Sequence, residues 1–111
     1  MKHTMRLHNE PFQLIKMGKK TVELRLNDEK RQLIKVSDEI EFINRENQDV
    51  IVTKVVKLHN YPTFKELYKH FNKEQLGYLQ TEEKNPVDME KYYTIAEQEK
   101  YGVLGIEIIK K

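Results

Sequence analysis

The sequence has no cysteine. That removes disulfides, thiolate metal sites and cysteine nucleophiles together, and a chain of this length folds without such staples. Glycine and proline are scarce, at four and three of 111 residues, so nothing reads as a flexible interdomain linker, and neither an internal repeat nor a low-complexity tract is present. Long apolar runs are missing: nothing approaches the roughly 18 consecutive apolar residues of a membrane span. Met1-Lys2-His3-Thr4-Met5-Arg6 leads into no apolar h-region and no small-residue cleavage site, so the expected compartment is the cytoplasm. G-x-G-x-x-G and Walker sequences are absent, and Gly102 and Gly105 build no phosphate loop. His3, His8, His59 and His70 lack metal-ligand spacing, and Glu66 with His70 is a single i, i+4 helical pair, so no metal and no cofactor are expected.

What is present is a modest core, 38% hydrophobic against 34% charged, which fits one domain over residues 1–111. Lys+Arg 20 against Asp+Glu 18 leaves a net charge of only +2, too little to announce a nucleic-acid binder by bulk charge. The distribution says more. Residues 1–35 carry nine basic and four acidic side chains, an excess that makes either a phosphate-attracting face or an ordinary solvated lysine-rich surface.

Met5 and Leu7 alternate with Thr4, Arg6 and His8, which predicts a first strand over His3–His8. A helix follows, with Asn9 as N-cap, Pro11 in the first turn, Phe12 and Ile15 on one face, and Gly18 ending it in a left-handed conformation. Val22, Leu24 and Leu26 then alternate with Thr21, Glu23, Arg25 and Asn27 as a strand with one apolar and one polar face. A turn of helix over Glu29–Ile34 precedes a strand containing Ile40 and Phe42. The polar run Asn44–Asp49 connects it to the β-branched Val50–Leu58, which reads as the central strand. Thr63-x-x-Glu66 opens a helix carrying Phe64, Leu67, Tyr68 and Phe71 into the core. A charged connection over Gln80–Asn85 leads to a further helix that begins at Asn85-Pro86, carries Met89, Tyr92, Tyr93 and Ala96 on one side, and stops at Gly102. Val103–Ile109 is apolar enough for an interior strand. Five or six short strands with interspersed helices do not follow a βαβ rhythm, and the expected fold is α+β, a small mixed β-barrel flanked by helices.

The chemistry concentrates in Gly18-Lys19-Lys20-Thr21-Val22-Glu23-Leu24-Arg25. Thr21, Glu23 and Arg25 share one strand face at spacings of about 7 Å, close enough for Glu23 to orient the guanidinium. Lys20 sits at the turn above. Beneath a helix, Arg25 would offer a planar fork to phosphate or a base edge while Glu23 accepts from an amino group, with Lys20, Lys19 and Thr21 as further ligand contacts. The plain alternative is a solvent-facing Glu–Arg pair with Lys19 and Lys20 as solubilising residues.

These eight residues resemble the G-x-K-x-x-E-x-R signature of the ASCH domain family, within the PUA-like superfamily, and match it at Gly18, Lys20, Glu23 and Arg25. The Pro11-Phe12 helix, Asp28-Glu29-Lys30-Arg31, Ile34-Lys35-Val36-Ser37-Asp38 and Tyr101-Gly102-Val103-Leu104-Gly105-Ile106 extend the likeness over most of the chain. The resemblance implies a PUA-like β-barrel with helices over its openings, a cleft lined by the signature residues, and RNA binding or RNA metabolism. One branch of that family removes the acetyl group of N4-acetylcytidine, and others are associated with RNA cleavage. In the amidohydrolase branch the third residue after the signature lysine is a threonine nucleophile, where this sequence has Glu23; a hydrolase here would use Lys20 and Glu23 to activate water. That branch draws a second glutamate from a later segment, for which Glu66 and Glu74 are candidates.

The expected partner is therefore RNA or a nucleotide or nucleoside, with a small hydrolase as the alternative. One of Tyr61, Tyr92, Tyr93 and Tyr101 is expected as a stacking platform beside Arg25, and His8 and Asn9 either cap the first helix or reach the cleft.

Overall fold

The computed structural model describes all residues, Met1–Lys111. In chain order the elements are β1 (Lys2–Leu7), α1 (Asn9–Lys16), β2 (Val22–Leu26), β3 (Glu39–Asn44), β4 (Val50–Tyr61), α2 (Phe64–Leu67), α3 (Ile95–Tyr101) and β5 (Val103–Lys110). Short 3-10 turns cover Arg31–Leu33, Tyr68–His70 and Pro86–Lys91. The strands form one sheet in the order β1-β3-β4-β5-β2, curled into a half-barrel with helices against it, an α+β fold. β1 runs parallel to β3, and the other neighbours are antiparallel. β4 is the central strand, as its β-branched run predicts: it pairs with β3 over Val50–Lys54 and with β5 over Thr53–Tyr61, and the ladder with β5 shifts register between Val55 and Lys57. Such a bulge sharpens the local twist and helps the sheet to curl.

Two apolar clusters flank this sheet. Phe12 and Ile15 of α1 close the first over Met5, Leu7, Ile40, Phe42, Val55, Leu104, Ile106 and Ile108. The second packs Phe64 and Leu67 of α2, with Phe71 and Leu76, onto Val22, Leu24, Leu26 and Val103. Because β5 supplies both clusters from its two faces, it reads as an almost unbroken apolar run. Gly105 lets α2 approach closely: a Cβ there would lie 3.3 Å from both Leu67 Cδ1 and Val22 Cγ1.

Three expectations for the helices need correction. His8, not Asn9, is the N-cap of α1; the Asn9 side-chain oxygen accepts instead from Gln13 Nε2 at 3.1 Å and from Asn44 Nδ2 at 2.9 Å, tying α1 to the end of β3. The helix opened by Thr63 is a single turn of α-helix followed by a 3-10 turn, since Phe71 returns to extended backbone to reach the core. The expected helix from Asn85 to Tyr101 is two pieces. Thr94 interrupts it with its own capping box, accepting from Glu97 N at 3.1 Å while Glu97 Oε1 accepts from Thr94 N at 2.9 Å, which starts a new helix in place of continuing the old one. Gln98 of α3, itself buried, then accepts from Phe64 N and donates to the Tyr93 carbonyl, tying α3 to α2 and to the break. Gly18 and Gly102 end their helices with φ of +76° and +72°, as their places after the apolar periodicity predict.

Candidate functional site

The turn after α1 places the first side chain of the site. Gly18 reverses the chain, Lys19 and Lys20 donate their backbone N–H groups to the Leu14 carbonyl, and Thr21 and Val22 donate theirs to the Gln75 carbonyl. Lys20 is thus held between α1 and the segment that follows α2. Gly77, at φ +95°, lies against its stem: a Cβ on Gly77 would come within 2.8 Å of Lys20 Cδ. Strand alternation does the rest. Val22, Leu24 and Leu26 turn into the second cluster, so Glu23 and Arg25 share the opposite face.

Glu23 is only 3% exposed and each of its carboxylate oxygens is engaged. Oε1 accepts from Lys20 Nζ at 2.9 Å and Oε2 from Arg25 Nε at 2.8 Å. Burial alone would push the Glu23 carboxyl up. The charges and hydrogen bonds of Lys20 and Arg25 outweigh it and hold the group down at about 2. Burial likewise works against the Arg25 charge, and the neighbouring Glu23 and Tyr93 more than offset it, so this guanidinium is held charged more firmly than an ordinary arginine. With two cations about one buried anion, the motif carries a net positive charge.

The three side chains lie in the wall of a hollow of about 640 Å³. On one side stand the edge strands β1 and β2, unpaired with each other, and Arg25 Nη2 reaches across to the Arg6 carbonyl at 3.4 Å. Arg6, and Arg45 just past β3, line this side too. On the other side, residues 76–93 supply Tyr78, Asp88, Tyr92 and Tyr93. There the phenols of Tyr68 and Tyr78 meet at 3.0 Å, and Tyr78 donates to Asp88 Oδ2 at 2.7 Å. Burial pushes the Tyr68 and Tyr93 hydroxyls up, so both remain protonated at neutral pH. No group of three His, Asp or Glu side chains is arranged as metal ligands would be.

Lys20, Glu23 and Arg25 are brought together. Lys19 is exposed and Thr21 is held by backbone bonds, and neither lines the hollow. Tyr92 and Tyr93 line it, whereas Tyr61 stacks on His70 and Tyr101 packs against the second cluster. His8 reaches the hollow and Asn9 does not. Glu66 pairs with Lys69 at the surface and Glu74 is exposed; the lining carboxylates other than Glu23 are Glu10, Glu82 and Asp88. Sequence reasoning missed Arg6, Arg45, Tyr78 and Asp88. Arg6 was visible on the polar face of β1, but Arg45 lies in a polar loop and the segment around Tyr78 has no periodicity that would aim its side chains.

Chemically the floor is an oriented cationic pair. Glu23, fully ionised with both oxygens occupied, is poorly suited to exchange protons near neutral pH, and its role is to fix Lys20 and Arg25. Arg25 spends one N–H on Glu23 and one on the Arg6 carbonyl, and the Tyr93 hydroxyl stands beside it as a further acceptor, so only part of its five-donor fork is left facing the hollow.

A family model described as the ASCH domain matches residues 5–110. No curated protein matches the chain. Among solved structures, the crystal structure of hypothetical protein PH0355 is 35% identical, with 100% of each chain covered and a TM-score of 0.84. The solution structure of protein PF0455 from Pyrococcus furiosus is 32% identical, covering 99% of this chain and 97% of that one, with a TM-score of 0.75. A ZmASCH mutant protein from Zymomonas mobilis shares the fold at 19% identity, covering 97% of this chain and 67% of that one, with a TM-score of 0.69.

Proposed function

The chain belongs to the ASCH domain family, and from that premise we propose that it binds RNA or a nucleotide in the hollow floored by Lys20, Glu23 and Arg25. The observation that carries this reading is the buried carboxylate of Glu23, which grips one cation with each oxygen and aims both at the same concavity. A charge pair at an open surface would not be desolvated in this way. A preorganised guanidinium suits phosphate or the acceptor edge of a base, and it binds without first losing the conformational freedom of a long side chain. Phosphate recognition makes the affinity salt-dependent.

The test is fluorescence anisotropy of a labelled single-stranded RNA over a salt series. Arg25→Ala is expected to weaken binding by about tenfold or more at low salt and to flatten the salt slope, whereas Lys19→Ala changes either little. Affinity independent of Arg25 would sink the reading. A hydrolase acting on N4-acetylcytidine or RNA through Lys20 and Glu23 is the weaker reading, because a carboxyl held near 2 is a feeble general base and no general acid at neutral pH. Incubation of the pure protein with either substrate distinguishes the two, since product formation lost in Glu23→Gln would favour the enzyme.

A further inference from the structure

The hollow is chemically two-ended. The wall along the open seam of the sheet presents the guanidiniums of Arg6, Arg25 and Arg45. Arg6 and Arg45 are exposed and make no ion pair with a carboxylate. Parallel pairing sets Arg6 opposite Ile43, and the Arg45 N–H donates to the Leu7 carbonyl at 2.8 Å, which puts both arginines at the same end of the β1–β3 ladder. Glu10 is the acidic residue on this side. The facing wall, residues 76–93, presents the carboxylates of Glu82 and Asp88 beside the Lys91 ammonium. Asp88 has Oδ2 taken by Tyr78, and Glu82 has Oε1 taken by the Leu79 N–H, which leaves the second oxygen of each without a protein donor. Tyr92, 55% exposed on the same segment, adds an aromatic ring with the Lys91 ammonium 5.2 Å from its centroid.

Resting on the nucleic-acid reading above, we infer that the hollow takes a single nucleotide unit, its phosphate on Arg6, Arg25 and Arg45 and its base on the Tyr92–Asp88–Glu82 wall. An arginine wall facing one that carries two carboxylates with a free oxygen each selects a ligand that is anionic at one end and carries N–H donors at the other. A carboxylate accepts from the exocyclic amino group of cytosine and repels the carbonyl oxygen that uracil carries at the same position. An exposed tyrosine ring is a stacking platform for any base. The hollow thus reads a phosphate and an amino-bearing base together, where either half alone binds weakly.

Calorimetric titration of the full chain with cytidine 5′-monophosphate, uridine 5′-monophosphate, cytidine and inorganic phosphate tests this. Cytidine monophosphate is expected to bind about tenfold tighter than cytidine and measurably tighter than uridine monophosphate. Arg45→Ala and Arg6→Ala should bring the monophosphate down to the level of cytidine and leave cytidine unchanged. Asp88→Asn should erase the preference for cytosine over uracil without altering phosphate dependence. Equal affinity for cytidine and its monophosphate would overturn the inference while leaving the RNA-binding reading intact. Inorganic phosphate binding as tightly as the nucleotide would overturn its base half. If neither mononucleotides nor single-stranded RNA bind, both readings fall, whereas RNA binding that is insensitive to Arg6 and Arg45 defeats this one alone.

Discussion

Glu23 shows how much one side chain can carry. Its carboxyl is held near 2 in the folded chain, below its ordinary value, so the folded form releases the proton more readily than the unfolded chain. The stability this supplies is complete above the unfolded value, near 4.5, and is lost as pH falls from there toward 2, amounting to about 3 kcal/mol. Asp38 acts in the same direction, held at about 2 by His3, the Lys35 N–H and the chain's amino group. Urea unfolding between pH 7 and pH 2.5 should therefore show a falling midpoint. Glu23→Gln should cost about 3–5 kcal/mol at pH 7, because two cations lose their buried partner, and should flatten the acid slope without abolishing it. A Glu23→Gln protein as stable as the parent at pH 7 would contradict the ion-pair geometry. That Glu23 and Arg25 share a face was legible from period-two alternation alone. The burial of that face was not, because nothing in the octet announces that residues 76–93 will cover it.

At the scale of elements, two glycines with the same backbone handedness make a controlled comparison. Gly18 and Gly77 have φ of +76° and +95°, but a Cβ on Gly18 meets nothing within 4 Å while one on Gly77 meets Lys20 Cδ at 2.8 Å. Gly18→Ala should cost about 1 kcal/mol, the backbone penalty. Gly77→Ala should cost more and should also weaken ligand binding, because Lys20 must shift. Thermal melts and RNA anisotropy on both variants check this, and equal effects on binding would mean that Gly77 does not position Lys20. Gly18 could be read from the helix it ends, whereas Gly77 sits in a stretch without hydrophobic period. The break before α3 had a readable signal in Thr94-x-x-Glu97, yet the apolar spacing of Met89, Tyr92, Tyr93 and Ala96 masks it: a pattern that satisfies helical periodicity does not show where backbone donors are recapped.

Across the whole molecule, β5 couples the two clusters. Leu104, Ile106 and Ile108 belong to one and Val103 to the other, so neither half keeps its packing if β5 leaves. Ile106→Ala, at a fully buried position, should cost about 2–5 kcal/mol. The loss should appear in one transition that coincides by far-UV circular dichroism and by tyrosine fluorescence; two separated transitions would show that the clusters unfold independently. Alternation, glycine placement and the apolar final strand let the sequence by itself determine the strands, the class of fold and the shared face of Glu23 and Arg25, since these follow from periods of a few residues along the chain. Only the tertiary structure decided that the sheet stays open between β1 and β2, that Arg6 and Arg45 join Arg25 at that opening, and that a segment some fifty residues beyond β2 in the chain roofs the floor made by Glu23. Those facts depend on contacts between distant segments, whose partners no local pattern names.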